Sequence, residues 1–204
     1  MRTSTCAPQL DMLAEQPIVP GFAQAAQFIT ADEEAALIAR IGEIDLTPFR
    51  FQGWLGKRLT ATFGWRYDFD DASFGPAEPI PDWLLPLRDR AAAFAGLDRA
   101  ELTQASINRY DPGAGIGWHR DRAVFEKVAG VSLGAPTVLR FRQRIPGGFR
   151  RATAPLAPRS AYRMTGEVRT DWEHSVPEQA ATRWSIMFRN LSEKGRLRLS
   201  RSAA

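Results

Sequence analysis

The residues with the clearest chemistry in this chain are its only two histidines, His119 and His174, and one aspartate, Asp121. His119 opens the triplet His119-Arg120-Asp121. His174 follows in Trp172-Glu173-His174-Ser175, upstream of Arg183-Trp184-Ser185-Ile186-Met187-Phe188-Arg189. Two imidazoles and one carboxylate can hold Fe(II) on one face and leave the remaining positions open for reactants. The same set can hold catalytic zinc. No glutamate in a helical motif offers the general base of a zinc hydrolase, and zinc would leave the arginine run unexplained. A third reading makes His119 and Asp121 a hydrogen-bonded loop pair and gives His174 to the core. The arginines just beyond His174 favour iron.

Alternate residues of a strand face the same side. A His-x-Asp strand would therefore present both ligands together, with the second histidine arriving from another strand. A strand over 183–189 would put Arg183, Ser185, Met187 and Arg189 on one face and Trp184, Ile186 and Phe188 on the other. Two guanidiniums inside a barrel need anionic partners. Six residues of strand span roughly 20 Å, so two arginines leaning together could bracket a small diacid that also chelates the metal. Without the metal motif, a solvent-facing strand would explain the same arginines.

The elements that would carry these residues are legible in outline. Residues 1–16 read as a flexible leader, and 17–29 as an opening strand and turn. Thr30-Ala31-Asp32-Glu33 forms a capping box, followed by the apolar stripe Ala35, Leu37, Ile38 and Ile41, with Gly42 ending the helix. Aromatic and polar residues alternate over 46–70, as in short strands. Asp71 to Pro81 reads as a loop, and Asp82 as the cap of a second helix running to about Ala95. From residue 102 the pattern is β-like, with strands near 103–110, 128–134, 137–144, 149–154, 160–164 and 181–190, separated by Pro and Gly turns. Helices followed by a run of short strands predict an α+β fold, a double-sheet jelly roll with its N-terminal helices backing one sheet. One domain over 17–192 and a frayed basic tail over 193–204 complete the expectation.

At 204 residues, 44% hydrophobic and 25% charged, the chain has the composition of a globular protein. No apolar run approaches a membrane span, and the N-terminus lacks a signal pattern, so a cytoplasmic monomer without membrane contact is expected. The lone Cys6 excludes internal disulfides and cysteine-rich zinc sites. Lys and Arg number 27 against 23 Asp and Glu, and only Lys57, Lys127 and Lys194 are lysine. An arginine-rich surface suits nucleic acid; it equally suits a GC-rich genome.

Several motifs occur in order: Phe63-Gly64-Trp65, Ile107-Asn108-Arg109-Tyr110-Asp111-Pro112-Gly113, His119-x-Asp121, Val131-Ser132-Leu133-Gly134, His174, and Arg183 to Arg189. Together they resemble the AlkB family of Fe(II)- and 2-oxoglutarate-dependent dioxygenases, built on a double-stranded β-helix. The resemblance implies that His119, Asp121 and His174 ligate iron. It implies that Asn108 and Tyr110 hydrogen-bond 2-oxoglutarate, that Arg183 with Ser185 takes its distal carboxylate, and that Arg189 lies near the metal-proximal one. Trp65 resembles the aromatic that stacks on a flipped-out base, with Tyr67 nearby in the substrate lid. The chain departs from the family's bacterial repair enzyme at Ala123, where that enzyme has an acidic base-reading residue, and at Arg169 and Trp172.

The expected reaction is O2-dependent oxidative demethylation of alkylated bases, single-stranded nucleic acid preferred. Arg140, Arg142 and Arg144 alternate on one strand face, and Arg150-Arg151 follow the Pro146-Gly147-Gly148 turn, as a phosphate-contacting hairpin would. Trp65 or Trp54 could stack an extracted base. The rivals are the same oxygenase chemistry on a protein, lipid or small molecule, and a non-catalytic nucleic-acid-binding module.

Overall fold

The capping box forms as read. Thr30 Oγ accepts from the Glu33 amide at 3.1 Å and Glu33 accepts from the Thr30 amide at 2.8 Å, which starts α1 (Ala31–Gly42). In this computed structural model residues 18–51, 53–68 and 71–202 are described; the leader expected over 1–16 lies outside them. Before α1 comes β1 (Phe22–Ala25), and after it β2 (Thr47–Phe51), β3 (Trp54–Phe63), β4 (Trp65–Tyr67) and β5 (Phe74–Pro76). A 3-10 turn at Asp82–Leu84 leads into α2 (Leu85–Ala95). Asp82 does not cap that helix, because the chain enters through the tighter turn and Pro86 instead. The helix ends at Gly96, whose φ of +64° suits glycine.

The second half runs β6 (Leu102–Tyr110), β7 (Ile116–His119), β8 (Phe125–Gly134), β9 (Thr137–Ile145), β10 (Gly148–Leu156), β11 (Ala161–Met164), α3 (Glu167–Thr170), β12 (Trp172–Val176), β13 (Arg183–Leu191) and α4 (Glu193–Ser202). The long strands fall where alternation put them. Sequence reading passed over β5, α3 and β12 because three to five residues are too few to display a period. The expected frayed tail is the helix α4. Its first turn is capped by Ser192 Oγ accepting from the Gly195 amide at 3.1 Å. Gly195 packs so close to the chain that a Cβ there would lie 2.3 Å from the Val124 carbonyl.

A seven-stranded sheet in the order β1-β11-β8-β13-β6-β3-β2 faces a four-stranded sheet in the order β10-β9-β12-β7, and β4 pairs with β5 as a separate ribbon. The larger sheet buries Ala105, Ile107, Val131, Leu133, Ile186 and Phe188 against Leu84, Leu87, Ala91 and Ala92 of the helical side. Glu34 ties α1 to this sheet, accepting from the Gly134 amide at 2.8 Å and pairing with Arg159 at 2.9 Å. Between the sheets lies a second core built on Val128, Leu139, Phe141, Leu156, Tyr162 and Met164. This is the jelly roll with helices behind one sheet that the strand pattern predicted, and it leaves an inter-sheet mouth for the site. Among the described residues no helix is long and apolar enough to cross a membrane.

Candidate metal and cosubstrate site

β12 pairs antiparallel with β7 in a register that sets His174 directly opposite His119. Both rings therefore face the inter-sheet space, with centroids 4.2 Å apart. The strand reading of His-x-Asp is half right. β7 ends at His119, and Asp121 reaches in from the loop beyond it. Its Oδ1 lies 3.6 Å from His119 Nε2 and 3.8 Å from His174 Nε2, and one ligand atom from each residue falls within 4.8 Å of the others. His119 Nδ1 is 2.9 Å from the Gly117 carbonyl. A proton held there leaves the Nε2 lone pair aimed at the cluster.

Burial would raise the Asp121 pKa. The charge of Arg189, and after it that of Arg169, outweigh it and hold the carboxyl well below its ordinary range. His174 is pushed down to about 3, by burial first and by the neighbouring His119 second. The cluster thus offers a carboxylate and a neutral buried imidazole at physiological pH, the protonation states that metal ligands need.

The other carboxylate oxygen of Asp121 faces two guanidiniums, Arg169 Nη1 at 3.2 Å and Arg189 Nε at 3.4 Å. Arg189 is braced by Gln104 Oε1 at 2.9 Å. Arg169 is buried, and donates to the Glu126 and Phe125 carbonyls at 2.9 and 3.1 Å. Sequence reading saw Arg169 only as a departure from a familiar pattern. Nothing local to it separates a buried arginine from an exposed one.

A cavity of about 600 Å³ opens beside the triad and is lined by Arg183, Ser185, Met187 and Arg189 of β13. Trp184, Ile186 and Phe188 point to the helical side, as the alternation required. Asn108 and Tyr110 lie on β6, in register with Ser185 and Arg183. Arg183 is 1% exposed. Its Nη2 donates to Ser132 Oγ at 3.1 Å and its guanidinium sits 5.1 Å from the Tyr110 ring centre. Among the described residues its buried Nε has no hydrogen-bond partner. An orphaned donor on a buried cation is costly, and an anion entering this cavity would relieve it. The residues therefore fit a metal at one place and a small dicarboxylate beside it.

Two further tyrosines line the cavity, and the sequence had pointed to only one of them, Tyr67. Tyr162 lines the cavity with its ring laid over Gly130, where a Cβ would come within 2.4 Å of it. Burial, and then the neighbouring Tyr110, raise its phenol pKa, so it remains a neutral hydroxyl. Tyr67 also lines the cavity, with the Arg122 guanidinium 4.8 Å from its ring centre. Trp65 does not line it. The two residues share one face of β4 with Arg66 between them, and both pack against a small core of Phe74, Val124, Phe125 and Leu191, where the Trp65 ring lies 5.7 Å from that of Phe74.

A jelly roll with a two-histidine, one-carboxylate cluster beside a buried arginine defines a class of metal-dependent oxygenase. The profile of the 2OG-Fe(II) oxygenase superfamily matches residues 47–200, and the chain belongs to that superfamily, whose members use Fe(II) and 2-oxoglutarate. Several of its relatives carry AlkB-homologue names. It is 23% identical over 202 residues to the alkylated DNA repair protein ALKBH8 homolog of Arabidopsis thaliana, covering 86% of this chain and 56% of that protein. It is 27% identical over 192 residues to the uncharacterized protein L905 of Acanthamoeba polyphaga mimivirus, covering 84% of this chain and 85% of that one. It is 29% identical over 171 residues to the tRNA (carboxymethyluridine(34)-5-O)-methyltransferase ALKBH8 of Macaca fascicularis, covering 80% of this chain. The chain spans about half the length of the plant relative and a quarter of the macaque one. The solved structure of OsALKBH1 shares the fold, with a TM-score of 0.61 at 17% identity over 86% of this chain and 99% of that one.

Proposed function

We propose that His119, Asp121 and His174 hold Fe(II), that Arg183 with Ser185, Asn108 and Tyr110 binds 2-oxoglutarate, and that the enzyme oxidatively demethylates alkylated bases in single-stranded nucleic acid. The observation that carries the cosubstrate assignment is the buried Arg183, in the same cavity as the triad, whose Nε lacks a partner among the described residues. With molecular oxygen as oxidant, the iron and 2-oxoglutarate, when bound, would supply oxidation of a C–H bond coupled to decarboxylation; an N-methyl group so oxidised would be lost as formaldehyde.

The chain's own part is positioning and exclusion of water. Arg183 draws the distal carboxylate to the deep end of the cavity, where the Tyr110 and Tyr162 rings displace solvent. Arg189 and Arg169 occupy one oxygen of Asp121 and leave the other turned toward the imidazoles. Tyr67 is the lid aromatic on the cavity wall and takes the base-stacking role first expected of Trp65, which supports it from behind through Phe74. The substrate class is supported by the names of the relatives, which include a DNA repair protein, a tRNA-modifying enzyme and a probable RNA/DNA demethylase. With Ala123 in place of an acid, base selection has to come from other groups at the mouth, among them Arg122.

The test is succinate and formaldehyde release with Fe(II) and 2-oxoglutarate, with and without an N-methylated single-stranded oligonucleotide. Stoichiometric formaldehyde that depends on the methylated strand is expected, with none from His119→Ala or Asp121→Ala. Succinate without formaldehyde would overturn the substrate assignment; wild-type succinate from either variant would overturn the triad.

A further inference from the structure

The outer face of the smaller sheet carries a band of arginine and aromatic side chains that the proposed chemistry does not use. Leu139 and Phe141 of β9 point into the core, so Arg140, Arg142 and Arg144 point outward. Pairing with β10 sets Phe149 opposite Arg144 and Arg151 opposite Arg142. The Arg142 guanidinium lies 4.6 Å from the Trp118 ring centre and 4.6 Å from that of Phe149. Arg144 and Arg151 flank Phe149 at 5.2 and 5.4 Å, and Arg140 covers Trp118 at 5.3 Å. Trp118 precedes His119 and also lines the cavity, so the band runs unbroken from the hairpin tip to the mouth of the site.

Its charge is largely uncompensated. Arg142 pairs with Glu173, and Arg140 donates to Ser175 Oγ at 3.0 Å. Among the described residues no carboxylate pairs with the exposed Arg144 or Arg151. A polyanion complements this face. Alternation of guanidiniums with aromatic rings selects further among polyanions, because such groups stack on bases, which an acidic peptide lacks.

We infer that this band is the docking track of a single-stranded polynucleotide, with phosphates taken by Arg144, Arg151 and Arg140 and bases stacked at Phe149 and Trp118 on the way to the cavity. The inference rests on the nucleic-acid reading above and adds the route by which the strand reaches the site.

The test is fluorescence anisotropy of the full chain with an unmethylated, fluorescein-labelled single strand of about 15 nucleotides, titrated between about 50 and 200 mM KCl. Arg144→Ser/Arg151→Ser is the variant. It is expected to bind about 10-fold or more weakly at the lowest salt. Its plot of log affinity against log salt should be shallower by about 1.4, since each lost phosphate contact on a single strand removes about 0.7. Succinate formation without nucleic acid is expected to stay at the wild-type level, which reports an intact fold and site. An unchanged affinity and slope in the variant would overturn the track. So would failure of the wild type to bind the strand, or equal binding of a polyglutamate peptide. Methyl-dependent formaldehyde release alongside unchanged variant binding would remove the track and leave the reaction standing. Variant-sensitive binding without formaldehyde from any methylated strand would remove the reaction and leave the track.

Discussion

Replacing Arg169 with methionine would measure how firmly the buried cation beside Asp121 is built into the site. Arg169 Nη1 lies 3.2 Å from Asp121 Oδ2. At that separation and an effective dielectric constant of about 20, the attraction is about 5 kcal/mol. That is a ceiling, because burying a guanidinium costs several kcal/mol in return. Arg189, 3.4 Å from the same oxygen, would remain, so the loss should stay below the ~3–5 kcal/mol of a buried pair broken outright. Methionine fills similar space but leaves the Phe125 and Glu126 carbonyls without their donors, at about 1–3 kcal/mol for buried acceptors. Together these give about 3 kcal/mol. With an unfolding entropy of about 2.1 cal/mol/K per residue, the 204 residues convert that to a fall in Tm of about 7 °C. The assay is thermal unfolding by circular dichroism in EDTA, so that no metal compensates. Asp121→Asn alone should also destabilise, by leaving two cations facing each other. The double variant should lose less than the sum of the singles, by about 0.5–3 kcal/mol. A Tm within about 2 °C of wild type, or a fully additive cycle, would refute the reasoning.

Three further outcomes are expected. Arg183→Met should raise the KM for 2-oxoglutarate about 100-fold, from about 3 kcal/mol of lost charge-assisted hydrogen bonding; initial rates of succinate formation check it, and an unchanged KM removes Arg183 from the cosubstrate site. Gly130→Ala should push the Tyr162 ring off its position and cost about 2 kcal/mol, or about 5 °C in Tm, with a smaller cost in a Tyr162→Ala background; equal costs in both would show that the ring is not the obstacle. The third outcome concerns pH. His174 is held neutral down to about 3, against its ordinary 6.5, so between those values the unfolded chain binds a proton that the folded one refuses. Metal-free stability should therefore fall as pH drops below 6.5, by up to about 1.4 kcal/mol per unit. His174→Asn should flatten this slope between pH about 7 and 5; a wild-type slope in the variant would contradict it.

The long strands and the alternating faces of β13 were legible because a two-residue period over nine residues cannot be satisfied by a helix. The same alternation placed Arg183 and Ser185 on the inner side and Trp184 and Ile186 on the other before any contact was known. The strands that carry the histidines were harder, since β7 has four residues and β12 five, too short for a pattern. Residue types alone predicted a metal and a diacid, because two imidazoles, a carboxylate and two inward arginines have few other uses together.

Tertiary structure decided what those types meet. The register of β12 against β7 sets His174 across from His119, and a slip of one residue would turn the imidazole to the outer face. Packing set both Trp65 and Tyr67 against one small core and let only Tyr67 reach the cavity, a difference that two aromatics on the same face of one short strand do not announce. It also buried Arg169 against Asp121 and laid Tyr162 over Gly130, contacts between residues 48 and 32 positions apart in the chain. A local sequence pattern fixes side-chain chemistry and the face of a strand. Pairing of distant strands fixes which atoms share a space, and only the folded chain contains that information in readable form.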